Sequence, residues 1–142
     1  MLIDPKILKF IKINHILTLS VITPDNSPWA CNVFYVLDEV PFNLYFLTEL
    51  KTEHAKAMLM HPNVAGTITV EPKTIAQIQG IQFLAQAKQL QGEQAKDAYR
   101  QYYRAFPFAR MMKAPIWSLQ LQQIKMTNNL LGFAHKTHWQ RK

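Results

Sequence analysis

Residues Phe46 to Ala65, FLTELKTEHAKAMLMHPNVA, predict the end of a strand, a tight turn, a short helix and the start of the next strand. Thr48 closes an apolar run, and the Thr52 hydroxyl is suited to accept a backbone N–H at the start of a helix. Apolar residues then recur at helical spacing and give the helix one apolar face: Ala55, Met58 and Leu59. Pro62 ends the helix, because the residue before a proline is disfavoured in the α conformation.

The start of this helix carries the residues that best suit an anion. Lys51, Thr52, His54 and Lys56 surround the predicted N-terminus. Free backbone N–H groups and the positive end of the helix dipole favour negative charge there. The alternative is an ordinary crossover helix with a solvated basic face, and the composition of the segment alone favours that interpretation.

Length and composition indicate a single globular domain spanning residues 1–142. The chain is 49% hydrophobic, which is typical of a folded domain rather than a disordered one. Its apolar runs are too short to span a membrane, and lysines interrupt the apolar residues near the N-terminus. The single cysteine, Cys31, lies in an apolar strand and predicts a buried thiol in a reducing compartment. We therefore expect a cytoplasmic protein with no membrane partner.

The formal net charge of +7 is concentrated in the last third of the chain. Residues 1–97 contain eight Lys/Arg and nine Asp/Glu, whereas residues 98–142 contain eight Lys/Arg and no acid. A positive field of this kind attracts anionic partners. Tyr99 to Arg104, YRQYYR, interleaves rings with cations and suggests stacking on nucleic acid. The alternative is an amphipathic helix with buried tyrosines, and the helical spacing favours it.

The apolar patterns predict about seven strands and three helices. The predicted strands are Leu17–Val21, Trp29–Leu37, Phe42–Leu47, Val64–Val70, Thr74–Leu90 with a bulge at Gly80, Ile116–Met126, and Leu131–Trp139 after a hairpin turn at Asn128-Asn129. Helices are predicted from Asp4-Pro5, from Thr52, and over Ala95–Phe106. Strands that follow one another with short connections favour an antiparallel, closed or nearly closed barrel with helices packed outside. The fold class is mainly β within α+β.

This order of elements resembles the pyridoxamine-5'-phosphate-oxidase-like, FMN-binding split barrels. The matching motifs are Thr48, Thr52-Glu53-His54 and His61-Pro62-Asn63-Val64-Ala65, followed by Gly80-Ile81-Gln82-Phe83 and Ala87. Within that family the chain is most similar to the YhbP-like bacterial branch, through Lys51-Thr52, Val64-Ala65-Gly66-Thr67, Pro72-Lys73-Thr74, Phe106-Pro107 and Leu131-Gly132-Phe133. The resemblance covers His15 to Trp139.

The resemblance implies a homodimeric flavoprotein that holds FMN between subunits, with a possible oxidoreductase activity on an unknown small molecule. Thr48 and Thr52 would offer hydroxyls to the phosphate. Asn32 stands where flavin-binding relatives often carry arginine, and His54 stands where the oxidases have lysine. Trp117, by analogy, would come from the partner subunit to the edge of the flavin ring.

Two departures from the family, at Glu53 and His54, lower the FMN affinity that we expect. Glu53 replaces an arginine at a phosphate contact, so a carboxylate stands where a bidentate donor is usual. His54 adds little charge near pH 7, and Lys51 and Lys56 compensate only as point charges. A second hypothesis is therefore a non-enzymatic binding or regulatory module that lost the flavin and binds an anionic partner such as nucleic acid.

Other catalytic and metal-binding patterns are missing from the sequence. The five histidines show no zinc-like spacing with each other or with carboxylates, so no metal site is predicted. The chain has no nucleophile elbow, P-loop or dinucleotide-binding glycine motif, and only four glycines in all. No residue is identified as a catalytic acid or base.

Overall fold

Eight antiparallel strands form one curled sheet in the computed structural model, which describes residues 2–142. The strands are β1 Ile16–Ile22, β2 Pro28–Phe34, β3 Val36–Asp38, β4 Asn43–Leu47, β5 Asn63–Thr69, β6 Gln79–Gln89, β7 Ile116–Asn128 and β8 Lys136–Gln140. The helices are α1 Pro5–Ile13, α2 Glu53–Met60 and α3 Gly92–Ala105. The antiparallel split barrel with three peripheral helices is confirmed, with one short strand, β3, beyond the seven expected.

The sheet curls because strands that are neighbours in sequence lie at its opposite edges. The spatial order is β2-β1-β5-β6-β7-β4-β3, with β8 paired to β7. Only Tyr35 separates β2 from β3 along the chain, so the two edges must come together. The Tyr35 side chain is buried, and its hydroxyl donates to the carbonyl of Ile11 at 2.7 Å, which ties this junction to α1. The prediction of one strand over Trp29–Leu37 was therefore wrong.

Two further strand predictions need correction. The first part of Thr74–Leu90 is a 3-10 turn, Ile75–Gln77, and β6 begins only at Gln79. The register shift in β6 lies between Leu84 and Ala85 and not at Gly80, because β7 carries the extra residue Gln122 there.

The last strand is shorter than predicted. Positive φ values at Gly132 and Ala134 prevent an extended conformation before Lys136, and Asn129–Leu131 forms a 3-10 turn in place of a simple hairpin.

The barrel interior forms the main core and α3 covers a second one. Alternate residues of the strands fill the interior, among them Leu17, Leu19 and Val21 of β1, as the alternation predicted. The second core joins Ala95, Ala98 and Tyr102 of α3 to Tyr45 and Ile116 of the sheet. Because α1 and α2 seal the barrel and α3 packs outside, the outer sheet face over β1, β5 and β6 is left uncovered.

Candidate functional site

Thr52 shapes the start of α2. Its Oγ1 accepts a hydrogen bond from the N–H of Ala55 at 3.1 Å and donates to the carbonyl of Glu49 at 2.9 Å. The predicted N-cap is confirmed. In this structure the hydroxyl proton is directed to Glu49 within the turn, and Thr52 positions the helix end.

Replacing Thr52 by alanine is expected to lower the free energy of unfolding by about 1 kcal/mol, because the N–H of Ala55 loses its acceptor. Thr52→Ser keeps the hydroxyl and should lose much less. Urea denaturation of the three proteins measures the difference. Equal losses in the two variants would show that the cap hydrogen bond contributes nothing.

Thr48 and His54 form a pair beside the helix start. Thr48 is buried, and its Oγ1 lies 2.5 Å from Nε2 of His54. Burial lowers the pKa of His54 from its ordinary value of 6.5. The imidazole is therefore neutral near pH 7, and its Nε2 is occupied by the threonine.

The lowered pKa of His54 predicts a stability that depends on pH. The unfolded chain binds a proton at His54 more readily than the folded chain, so stability is full above pH 6.5 and falls as the pH drops from there towards the lowered pKa. The variant His54→Gln should show a flatter dependence between pH 7.5 and 5.5. Urea midpoints measured across that range test this, and an unchanged slope in the variant would contradict it.

The charges at the helix start are partly neutralised. Lys56 pairs with Glu53 at 3.6 Å, and both side chains are about half exposed. Lys51 is exposed and makes no ion pair with the residues that the structure describes. The N–H groups of Glu53 and His54 lie in the first helical turn, where no intrahelical acceptor is available. An anion would therefore meet Lys51 and two backbone N–H groups.

Asn32 lies on the uncovered outer face of the sheet. Its Oδ1 accepts a hydrogen bond from the hydroxyl of Thr18 at 2.7 Å across the β1–β2 pair. A shallow groove of about 470 Å³ runs beside it along β1, β5 and β6, and its lining includes Thr18, Ser20, Thr67 and Leu84. This groove was not predicted from the sequence. The polar residues Thr18 and Ser20, which alternate with the apolar residues of β1, are the sequence feature that could have indicated it.

Trp117 is buried inside the barrel and does not reach the surface of the chain. Its side chain is 1% exposed and belongs to the main core inside the barrel. The Nε1–H is buried without an acceptor. The expectation that Trp117 contacts a flavin ring across subunits does not agree with this burial, because β7 turns this position inward together with Leu119 and Leu121.

Residues 2–142 contain neither a cluster of metal-binding side chains nor a helix suited to span a membrane. No group of three or more His, Cys, Asp or Glu side chains is placed to hold a metal ion. Within the same residues, no helix has the length and apolar character needed to cross a membrane.

Comparisons of the sequence identify close relatives. The chain is 43% identical over 136 residues to a UPF0306 protein of Serratia proteamaculans (strain 568), covering 96% of this chain and 94% of the relative. It is 42% identical over 133 residues to a UPF0306 protein of Yersinia pestis bv. Antiqua (strain Antiqua), covering 94% and 90%. No family model matches the chain.

Comparisons of the structure identify more distant proteins with the same fold. A haem-binding protein from Mycobacterium smegmatis matches with a TM-score of 0.79 at 15% identity, over 99% of this chain and 60% of that one. The haem storage protein HutZ from Vibrio cholerae matches with a TM-score of 0.72 at 17% identity, over 87% and 94%. An FAD-binding protein from Mesorhizobium loti matches with a TM-score of 0.70 at 11% identity, over 88% and 94%.

Proposed function

The chain belongs to the UPF0306 family, and its fold is also that of proteins described as binding haem or FAD. We propose that it is a homodimeric split barrel that binds FMN. The observation that carries this proposal is the start of α2. There Lys51 is free of ion pairs with the described residues, and the N–H groups of Glu53 and His54 point out of the first turn of the helix. These groups would hold the phosphate.

The environment of His54 makes this histidine a poor ligand for haem iron. Haem iron is commonly held by a histidine nitrogen. In this chain Nε2 of His54 is engaged by Thr48 at 2.5 Å, so the imidazole would have to break that contact to bind iron. Binding of a flavin phosphate would leave the contact between Thr48 and His54 intact, because a phosphate needs only hydrogen-bond donors.

When bound, FMN would supply electron transfer, and the protein would be an FMN-dependent oxidoreductase of a small molecule. The residues of this chain would bind FMN and orient it. Thr48 holds the His54 ring, Thr52 fixes the helix end, and Lys51 contributes the charge that faces the phosphate.

The dimer would form through the uncovered sheet face. On this outer face of β1, β2 and β6, four large apolar side chains are between 41% and 54% exposed: Ile16, Ile22, Phe34 and Leu84. An exposed apolar face of this kind is typical of a surface that another protein covers. A second copy of this chain would cover it and bring the two halves of the flavin site together.

Leu84→Glu should convert the dimer to a monomer in size-exclusion chromatography with light scattering, because it buries a charge in the interface. Leu131→Glu is the matched control, since Leu131 is 44% exposed against 49% for Leu84 but lies outside the strands. A wild-type monomer, or a Leu84→Glu dimer, would contradict this interface.

The flavin site is tested by the quenching of FMN fluorescence on titration with protein. Lys51→Gln should weaken FMN binding about tenfold, the loss expected for one charge-assisted hydrogen bond. The control Lys73→Gln makes the same change at another exposed lysine. Equal affinities of the two variants would remove Lys51 from the site.

Glu53 favours a second candidate, the binding module without flavin. Its carboxylate already occupies the positive end of α2, where it opposes a second anion. In that case FMN would not bind, and the basic residues after position 97 would give salt-dependent binding to short DNA or RNA. Two of the three tyrosines of α3 are engaged within the chain, because Tyr102 is buried and the Tyr99 hydroxyl donates to the carbonyl of Ala114.

A further inference from the structure

A second cleft lies between α3 and the sheet, away from the start of α2. It has a volume of about 930 Å³, within the range of small-molecule sites, and its floor is formed by β4, β6 and β7. Lys51, Thr52 and His54 take no part in its lining. The cleft is therefore separate from the proposed flavin site.

The floor of the cleft is a polar patch where a helix covers a sheet. Strand register places its residues in two rows across β4, β7 and β6, namely Asn43–Gln120–Gln86 and Tyr45–Ser118–Lys88. A sheet face under a helix is ordinarily apolar, because burial of polar groups without partners is unfavourable. Only the Tyr45 end follows that rule, where its ring packs in the second core.

The face of α3 towards the cleft is polar as well. Its residues in the lining include Gln94, Asp97, Gln101 and Arg104, which recur at intervals of three and four. The apolar residues of α3 lie on another face and pack in the second core. One face of α3 thus packs in the second core, and another face presents side-chain donors and acceptors to the cleft.

The carboxylates of the cleft already have partners. Asp38 accepts hydrogen bonds from the Tyr45 hydroxyl at 2.8 Å and from Nε2 of Gln101 at 3.2 Å. Burial, together with this bond to Asp38, raises the pKa of Tyr45, so its hydroxyl stays protonated as the donor. Asp97 pairs with Arg100 at 2.7 Å.

Three other groups of the cleft have no partner among the described residues. Lys88 and Arg104 are exposed and form no ion pair there. Oδ1 of Asn43 is buried and accepts no hydrogen bond. An unpaired buried acceptor is unfavourable, so it indicates a donor that the chain itself does not provide.

We infer that this cleft binds a small polyhydroxylated anion of the sugar-phosphate class. The phosphate would lie between Lys88 and Arg104, since cations bind phosphate oxygens by charge-assisted hydrogen bonds. A sugar hydroxyl would donate to Oδ1 of Asn43, and the glutamines of the floor would bind the other hydroxyls. With Lys88, Arg100 and Arg104 against Asp38 and Asp97, the lining has one more positive than negative charge, which favours an anion.

The test is titration of the full chain with ribose 5-phosphate and glucose 6-phosphate, followed by calorimetry and by the side-chain amide signals in NMR spectra. We expect millimolar or tighter binding that shifts the amide signal of Asn43. Free ribose and inorganic phosphate should each bind at least about tenfold more weakly than the sugar phosphates, because each lacks half of the contacts. No binding of either sugar phosphate at millimolar concentration would overturn the inference.

Variants separate this cleft from the flavin site. Arg104→Gln should weaken sugar-phosphate binding about tenfold or more and leave FMN quenching unchanged. Arg110→Gln makes the same change at an exposed arginine outside the cleft and should have no effect. Sugar-phosphate binding that is lost in Lys51→Gln but kept in Arg104→Gln would place the ligand at α2 and overturn the inference.

Discussion

Replacing Gly66 by alanine is expected to lower the free energy of unfolding by about 2–3 kcal/mol, near the upper range for overpacking a core. A Cβ at this position would lie 2.7 Å from Cε2 of Phe83 and 2.7 Å from the carbonyl oxygen of Thr18, and it would also overlap Cζ of Phe83. The oxygen belongs to the backbone of the neighbouring strand, so no change of rotamer relieves the contact. Phe83 itself is 3% exposed and fills the core across Gly66.

Gly80→Ala is the matched control for this prediction. Gly80 lies on β6, next to the strand that carries Gly66, and a Cβ there would meet only atoms at 3.5 Å or beyond. We expect its stability to stay within about 0.5 kcal/mol of the wild type. Urea unfolding of the two variants measures the difference. Similar values for both would mean that β1 and β5 can separate enough to admit a methyl group.

Replacing Glu53 by arginine is expected to raise FMN affinity by about tenfold to a hundredfold, the range for one charge-assisted hydrogen bond. The substitution removes a carboxylate from the positive end of α2 and supplies a guanidinium fork to the phosphate. It also breaks the ion pair with Lys56, which frees a second cation. Fluorescence quenching of FMN measures the gain.

Glu93→Arg controls for the change in net charge. Glu93 lies in the first turn of α3 and pairs with Lys96 three residues on, just as Glu53 pairs with Lys56 in α2. Its substitution should leave FMN affinity unchanged within about twofold, because screening at physiological salt suppresses the field of distant charges. An equal gain in both variants would show that general electrostatic attraction, and not a phosphate contact at α2, governs FMN binding.

The local elements could be predicted because each rests on nearby residues. The Thr52 cap needs only its own hydroxyl and the N–H three residues on, and Pro62 ends α2 in the same local way. The inward side of β1 follows from strict alternation of Leu17, Leu19 and Val21 with polar residues. These predictions are confirmed because each depends on residues close in sequence and not on long-range contacts.

Long-range pairings could not be predicted in the same way. The run Trp29–Leu37 is apolar on both faces, and nothing in it shows that Tyr35 divides strands at opposite edges of the sheet. Trp117 presented the same difficulty, since Ile116 and Ser118 beside it are buried too. When both faces of a strand are covered, sequence pattern does not identify which face meets the core.

The contacts at the candidate site also depend on the folded chain. Thr48 and His54 are six residues apart, and only the turn between β4 and α2 brings Oγ1 and Nε2 together. The polar cleft under α3 unites residues from four strands and a helix, none of which forms a motif in sequence. Composition indicated an affinity for anions but not where the unpaired groups would lie.

The central claim is that the start of α2 holds the phosphate of FMN, and comparison of FMN with riboflavin tests it most directly. The two molecules share the ring and the ribityl chain, so they differ only in the phosphate. We predict that FMN fluorescence is quenched with micromolar affinity and that riboflavin binds at least about tenfold more weakly. Equal affinity for both molecules, or no quenching of FMN at all, would contradict the claim.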